Sequence, residues 1–164
     1  MAKVELKQPI VDEIASLLDG AQAMVVVDYR GLSVEEDTKL RKALRDGGVT
    51  YKVFKNTLIK RAAAGTEFEA VSEILEGPTA IAVSKEDATA PARIIAENIK
   101  AMPNLEFKGG VVGGVYYDAK MIQVIANIPS REVLLGRLLG SMQSPIANFA
   151  RVIKQIAEKD EAVA

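Results

Sequence analysis

Residues 23–29 read AMVVVDY, an unbroken apolar run ahead of a single carboxylate. The run is too short for a helix of ordinary length, and it lacks the alternation of a strand with one wet face. Its adjacent valines favour extended backbone, because branched Cβ atoms lose freedom against a helical turn. A strand that is apolar on both faces must be covered on both, so these residues predict a central strand around which the rest is arranged.

The flanking sequence supplies the covering elements. Pro9, the apolar positions Ile10, Val11, Ile14, Leu17 and Leu18, and Gly20 predict a helix over about residues 9–19. Ser33 and Glu36 form a capping-box pattern opening a helix that Gly47 and Gly48 close. Residues 49–54 read as a second strand, after which Asn56 or Thr57 is expected to cap a helix running to Ala64, with Gly65 as its stop. Thr66 and Glu69 repeat the capping-box pattern, which predicts a short helix with Phe68, Val71, Ile74 and Leu75 inward, ended by Gly77-Pro78.

Residues 79–84 predict a third strand, and Pro91 with Ile94, Ile95 and Ile99 the next helix. Residues 105–117 read as a fourth strand interrupted by glycines, or as a hairpin, and Asp118 caps a helix to about Asn127. With the first helix and the turns between residues 56 and 76 set aside, the order is βαββαβ. That predicts an α+β domain over residues 1–128, a ferredoxin-like sandwich with extra helices, its antiparallel sheet carrying helices on one face.

The tail, residues 129–164, is organised differently. Pro129-Ser130 reads as a hinge, and Leu135, Leu138, Met142, Ile146, Phe149, Ile153 and Ile156 then follow at helical steps of three or four. Leu134, Leu139 and Val152 widen this stripe. Ser144-Pro145 interrupts it, which predicts two abutting segments or one long helix kinked near Pro145. About 30 helical residues span about 45 Å, more than the diameter of roughly 35 Å expected for the preceding domain. Left uncovered, the stripe would expose about 1,000 Å² of apolar surface, so a covering partner is expected.

Charge is also concentrated. Residues 39–61 hold eight bases, among them Arg41, Arg45, Lys52, Lys55, Lys60 and Arg61, against the one acid Asp46, while the whole chain has a formal charge of -1. Arg30-Gly31 adds a cation beside flexible backbone at the exit of the first strand, and Asn56 and Thr57 are able to bond phosphate or ribose. A local field of this sign suits an anionic partner, of which nucleic acid is the commonest inside cells.

Catalysis is not expected. The chain has neither Cys nor His, which removes thiolate nucleophiles, Cys/His zinc sites and the usual neutral-pH base. The stretch KGGVVGGVYY at residues 108–117 lacks the spacing of a phosphate loop, and Asp28 has no P-loop to serve. Glu35, Glu36 and Asp37 meet a helix dipole. No cofactor or metal is implied. The opening MAKVELKQPIVDE has no long apolar core, so a cytoplasmic protein is expected.

Four blocks carry a family resemblance: VVVDYRGLS, KNTLIKRA, GPTAIAVS and IPSREVLLGRLLGSMQSPIANFARVI, in that order. With them the chain resembles the bacterial large-subunit ribosomal protein ten family, the stalk-base proteins. The resemblance implies a non-enzymatic scaffold whose N-terminal domain binds large-subunit ribosomal RNA together with ribosomal protein eleven. It also implies a C-terminal helix that carries dimers of the acidic stalk protein seven/twelve, which recruit GTP-bound translation factors.

Matched block by block, Tyr29 to Gly31, Lys55 to Leu58 and Arg61 fall in the RNA-facing region. Residues 134–156 match the dimer-binding helix, and the apolar segments on either side of Pro145 imply two dimers. Lys52, Lys60, Arg41 and Arg45 join the RNA set on charge and proximity. The competing reading is a free nucleic-acid-binding regulator that homodimerises through its tail.

Overall fold

The computed structural model describes residues 8–163, and their side chains apart from those of residues 146 and 157–163. The chain divides into two compact units, Met1–Pro129 and Ser130–Ala164. The first runs α1 (Gln8–Leu18), β1 (Ala23–Asp28), α2 (Val34–Asp46), β2 (Thr50–Val53), α3 (Asn56–Ala63), a 3₁₀ turn (Glu69–Glu73), β3 (Ala80–Ser84), α4 (Ala90–Ile99), β4 (Glu106–Val112), β5 (Val115–Asp118) and α5 (Ala119–Ala126). The second is one helix, α6 (Arg131–Val163).

The strands form one sheet in the order β2-β3-β1-β4-β5, every neighbour antiparallel. β1 is central, as its apolar run requires, and Ala23 to Val27 are fully buried. Alternation divides its side chains between two cores. Val25 and Val27 pack with Leu40 and Leu44 of α2, Ile95 of α4 and Ile122 of α5. Met24 and Val26 pack on the opposite face with Ile14 and Leu18 of α1, Leu58 and Ile59 of α3, and Val71. Each such Leu or Ile contributes about 1.5–3 kcal/mol of gross transfer free energy.

This corrects the expectation of helices on one face. The sheet is covered on both, because α1, α3 and the 3₁₀ turn, which looked like additions to a two-layer unit, carry the apolar stripes that bury Met24, Val26, Ile81 and Val83.

Local chemistry explains most element ends. The Ser33 hydroxyl accepts the Glu36 amide proton at 3.3 Å, and the Glu36 carboxylate accepts the Ser33 amide proton at 2.7 Å. The Ser33 bonds hold the Glu36 carboxyl below its usual pKa. Pro91 occupies the first turn of α4, where its missing N–H costs nothing. Residues 105–117 form a hairpin, turning on Gly113 and Gly114 at φ of +59° and +78°. Two successive positive φ values match the twist of the flanking strands and favour glycine.

Three predicted caps differ, one of them Asp118, which holds the N-cap position of α5 without a side-chain capping bond. Lys55, not Asn56 or Thr57, occupies the N-cap of α3 and offers no side-chain bond. Thr66 and Glu69 form no capping box: the Thr66 hydroxyl donates to Ala63 O at 2.7 Å, and the Glu69 carboxylate accepts from the Gly65 amide at 3.3 Å. The result is a 3₁₀ turn, still burying Phe68, Val71 and Leu75. In the second unit α6 is continuous through Pro145, which sets aside the two-segment alternative.

Candidate nucleic-acid interface

Sheet register brings distant loops to one end of the first unit. Val27 and Val53 both oppose Ala80, and Asp28 opposes Glu106, so the exits of β1 and β2 and the entries of β3 and β4 lie together. Arg30-Gly31, Lys55-Asn56-Thr57 and Gly77-Pro78 are therefore neighbours although far apart in sequence.

Contacts lock this arrangement. The Asn56 side-chain amide donates to Gly77 O at 2.8 Å, tying the start of α3 to the Gly77-Pro78 loop instead of capping its own helix. Gly31 adopts a φ of +83°, and the Asn104 amide donates to its carbonyl at 2.9 Å. The Arg30 amide donates to Asp28 Oδ1 at 2.9 Å, while its guanidinium lies 4.0 Å from Asp28 Oδ2 and remains 72% exposed.

Lys108 is the residue that sequence reasoning missed. Val26 opposes Gly109 and Val27 opposes Phe107, leaving Lys108 as the extra residue of a β-bulge, a device that re-aims a side chain. Its ammonium donates to Glu76 O at 2.6 Å and Pro78 O at 2.5 Å, and pairs with Asp28 Oδ2 at 3.4 Å. The only signal for it was a lone base ahead of two glycines in KGGVV.

Tyr29, Val53, Phe54, Lys55, Asn56, Thr57 and Gly77 to Thr79 line a surface pocket of about 500 Å³. Among the described residues the Asn56 and Thr57 amides at the start of α3 have no backbone acceptor, whereas Leu58 N already donates to Lys55 O at 2.8 Å, and the helix dipole adds positive potential there. Thr57, Lys60 and Arg61 lie on the exposed face of α3, opposite buried Leu58, Ile59, Ala62 and Ala63. Among the described residues, Lys55, Lys60 and Arg61 make no ion pair.

Three further bases do not join this cluster. Lys52 pairs with Glu13 of α1. Arg41 pairs with Asp37 at 2.7 Å and lies 5.2 Å over the Tyr51 ring. Arg41, Arg45 and Lys52 line a separate pocket of about 250 Å³ with Val49 to Tyr51, along β2 toward its start. Burial, reinforced by Asp37 and opposed by Arg41, raises the Tyr51 pKa to about 12. Among the described residues its buried hydroxyl finds no hydrogen-bond partner.

The second candidate surface is α6. Leu134, Leu135, Leu138, Leu139, Met142, Phe149, Val152, Ile153 and Ile156 are each between 44% and 69% exposed. The Ile146 side chain lies outside the described residues. Among the described residues, no helix is long and apolar enough to cross a membrane.

Comparison with known proteins covers both units. The family model described as ribosomal protein L10 matches residues 2–100, and that of the ribosomal protein uL10 C-terminal region matches residues 128–163. The large ribosomal subunit protein uL10 of Clostridioides difficile (strain 630) is 48% identical over 159 residues, covering 96% of this chain and 95% of that protein. The protein of the same name from Alkaliphilus metalliredigens (strain QYMF) is 49% identical, covering 97% and 96%. That from Staphylococcus aureus (strain JH9) is 45% identical, covering 98% and 96%.

Proposed function

Since the chain belongs to the ribosomal protein L10 family, a structural protein of the large ribosomal subunit and not an enzyme, we propose that its two surfaces hold two classes of partner. Its place is on the cytoplasmic ribosome. The first unit binds large-subunit ribosomal RNA, beside ribosomal protein eleven, through Arg30, Gly31, Lys55, Asn56, Thr57, Lys60 and Arg61. Lys52, Arg41 and Arg45 contribute less, since Lys52 and Arg41 already have carboxylate partners. The second unit carries dimers of the acidic stalk protein seven/twelve, one on each side of Pro145, and through them supports recruitment of GTP-bound translation factors. The strand order β2-β3-β1-β4 supports reading the first four strands as a ferredoxin-like unit.

The observation that carries this reading is the division of labour between surfaces. Unpaired cations cluster on one unit, while the other exposes an apolar stripe too large for a solitary helix to leave in water. Phosphate contact and apolar burial are different interactions, so the two are separable by mutation. Leu138→Asp and Phe149→Asp are expected to release stalk dimers in a pull-down and to leave RNA affinity unchanged. Equal loss of both activities contradicts the two-surface reading, and a stable homodimer on sedimentation supports a free regulator instead.

A further inference from the structure

The 500 Å³ pocket has a composition that phosphate binding alone does not account for. Tyr29 and Phe54, both half-buried, line it together with Pro78. The two aromatic residues come from opposite sides of the sheet: Tyr29 packs against the core of α2, α4 and α5, and Phe54 against that of α1 and α3. At the sheet end both side chains line one solvent-open pocket, which Lys55 and Thr57 also line. Among the described residues, the Tyr29 hydroxyl, the Lys55 ammonium and the Thr57 hydroxyl make no hydrogen bond or ion pair. The volume lies within the roughly 300–1,000 Å³ of small-ligand sites, and it is open to a chain passing over it.

We propose that this pocket receives one unpaired base of the bound RNA, its ring against Tyr29 and Phe54 and its phosphate toward Lys55 and the first amides of α3. The inference rests on the reading of this sheet end as an RNA contact. It deepens that reading by naming the RNA class: an unstacked nucleotide in a loop or bulge, because bases inside a duplex present no free ring face. Aromatic surface, free donors and a cation together match a nucleotide, which joins a flat heterocycle to an anion. A site built only to grip duplex backbone needs no aromatic floor.

Stacking and charge neutralisation respond differently to salt, and that difference is the test. Filter binding of the full chain to a large-subunit ribosomal RNA transcript is measured between about 50 and 200 mM salt. Tyr29→Leu and Phe54→Leu are expected to weaken binding by about 5- to 150-fold without changing the salt slope. Tyr29→Phe should restore affinity, whereas Lys55→Gln should flatten the slope by about 0.7–0.9. Leucine variants that bind like the unsubstituted chain, or that lose affinity together with slope, overturn the inference. A salt-independent affinity of the unsubstituted chain overturns the underlying RNA reading itself. Photocrosslinking of the unsubstituted chain to 4-thiouridine-substituted transcript needs no variant and guards against misfolding. Crosslinks on Tyr29 or Phe54 support base insertion, and crosslinks confined to other peptides refute it.

Discussion

Replacing Lys108 with Met removes a cation whose work is internal. Its ammonium donates to the carbonyls of Glu76 and Pro78 at 2.6 and 2.5 Å, pairs with Asp28 at 3.4 Å, and belongs to a side chain only 18% exposed. Two charge-assisted bonds at about 1.5–3 kcal/mol each set a gross loss of about 3–6 kcal/mol. The net loss is smaller, because the exposed Glu76 and half-buried Pro78 recover water, the Met stem keeps the packing, and Arg30 remains near Asp28. A destabilisation of about 2–3 kcal/mol is expected, or a fall in Tm of roughly 6–12 °C for a unit of this size. Thermal unfolding by circular dichroism measures it, with Lys52→Met as the control. The Lys52–Glu13 pair is nearly half exposed on both sides, so its loss should cost less than about 1 kcal/mol. If Lys108→Met melts with the unsubstituted chain, or if the two variants melt alike, the bulged lysine does not hold the loop.

Other outcomes follow from the same structure. Tyr51→Phe removes a buried hydroxyl that has no hydrogen-bond partner among the described residues and should raise stability by about 1 kcal/mol, read from denaturant midpoints. The same change should remove an alkaline loss: burial pushes the Tyr51 hydroxyl up to about 12, above its ordinary value near 10, so ionisation costs the fold nothing below about pH 10 and progressively destabilises it as pH rises toward 12. Asp87 is opposed by burial, but the Thr89 amide and hydroxyl and Arg93 outweigh it and hold its carboxyl below the usual range. Its contribution is therefore full above the unfolded carboxyl pKa and lost as pH falls through the folded one, so Asp87→Asn should lower Tm at neutral pH and flatten the acid limb of a Tm-against-pH curve. Gly110→Ala places a Cβ 2.5 Å from Met24 O and 3.0 Å from Val25 Cα, backbone that cannot step aside, and should cost about 1–3 kcal/mol on chemical denaturation. Gly136→Ala meets nothing within 4 Å and should stabilise α6 by about 1 kcal/mol, seen as increased helicity.

Features legible in the sequence were those whose cause lies within a few residues. The Ser33–Glu36 box, Pro91 in a first helical turn and the apolar stripe from Leu134 to Ile156 are written in short-range spacing, whereas residues 105–117 read equally as one interrupted strand or a hairpin until the structure placed the turn at Gly113-Gly114. So was the central position of β1, because an unbroken apolar run admits no wet face. The cap assigned to Asn56 or Thr57 failed because the helix begins at Asn56 itself, with Lys55 at its N-cap, and the Asn56 side-chain NH2 donates to Gly77 O, 21 residues away. The charge count likewise treated Lys52 as an equal of Lys55, although Glu13, 39 residues earlier, neutralises it across α1 and β2.

By itself, then, the sequence determined the kinds and limits of most elements, the apolar helix in need of a cover, and the basic stretch in the first unit. Only the tertiary structure decided which helices cover which face of the sheet, which cations remain free, and that Tyr29, Phe54 and Lys55 share one pocket with the loop that Lys108 holds. The physical reason is range. Helix caps, turns and periodicity are satisfied by near neighbours, whereas strand order and the bulge at Lys108 bring together groups separated by tens of residues, and no local pattern records which of them meet.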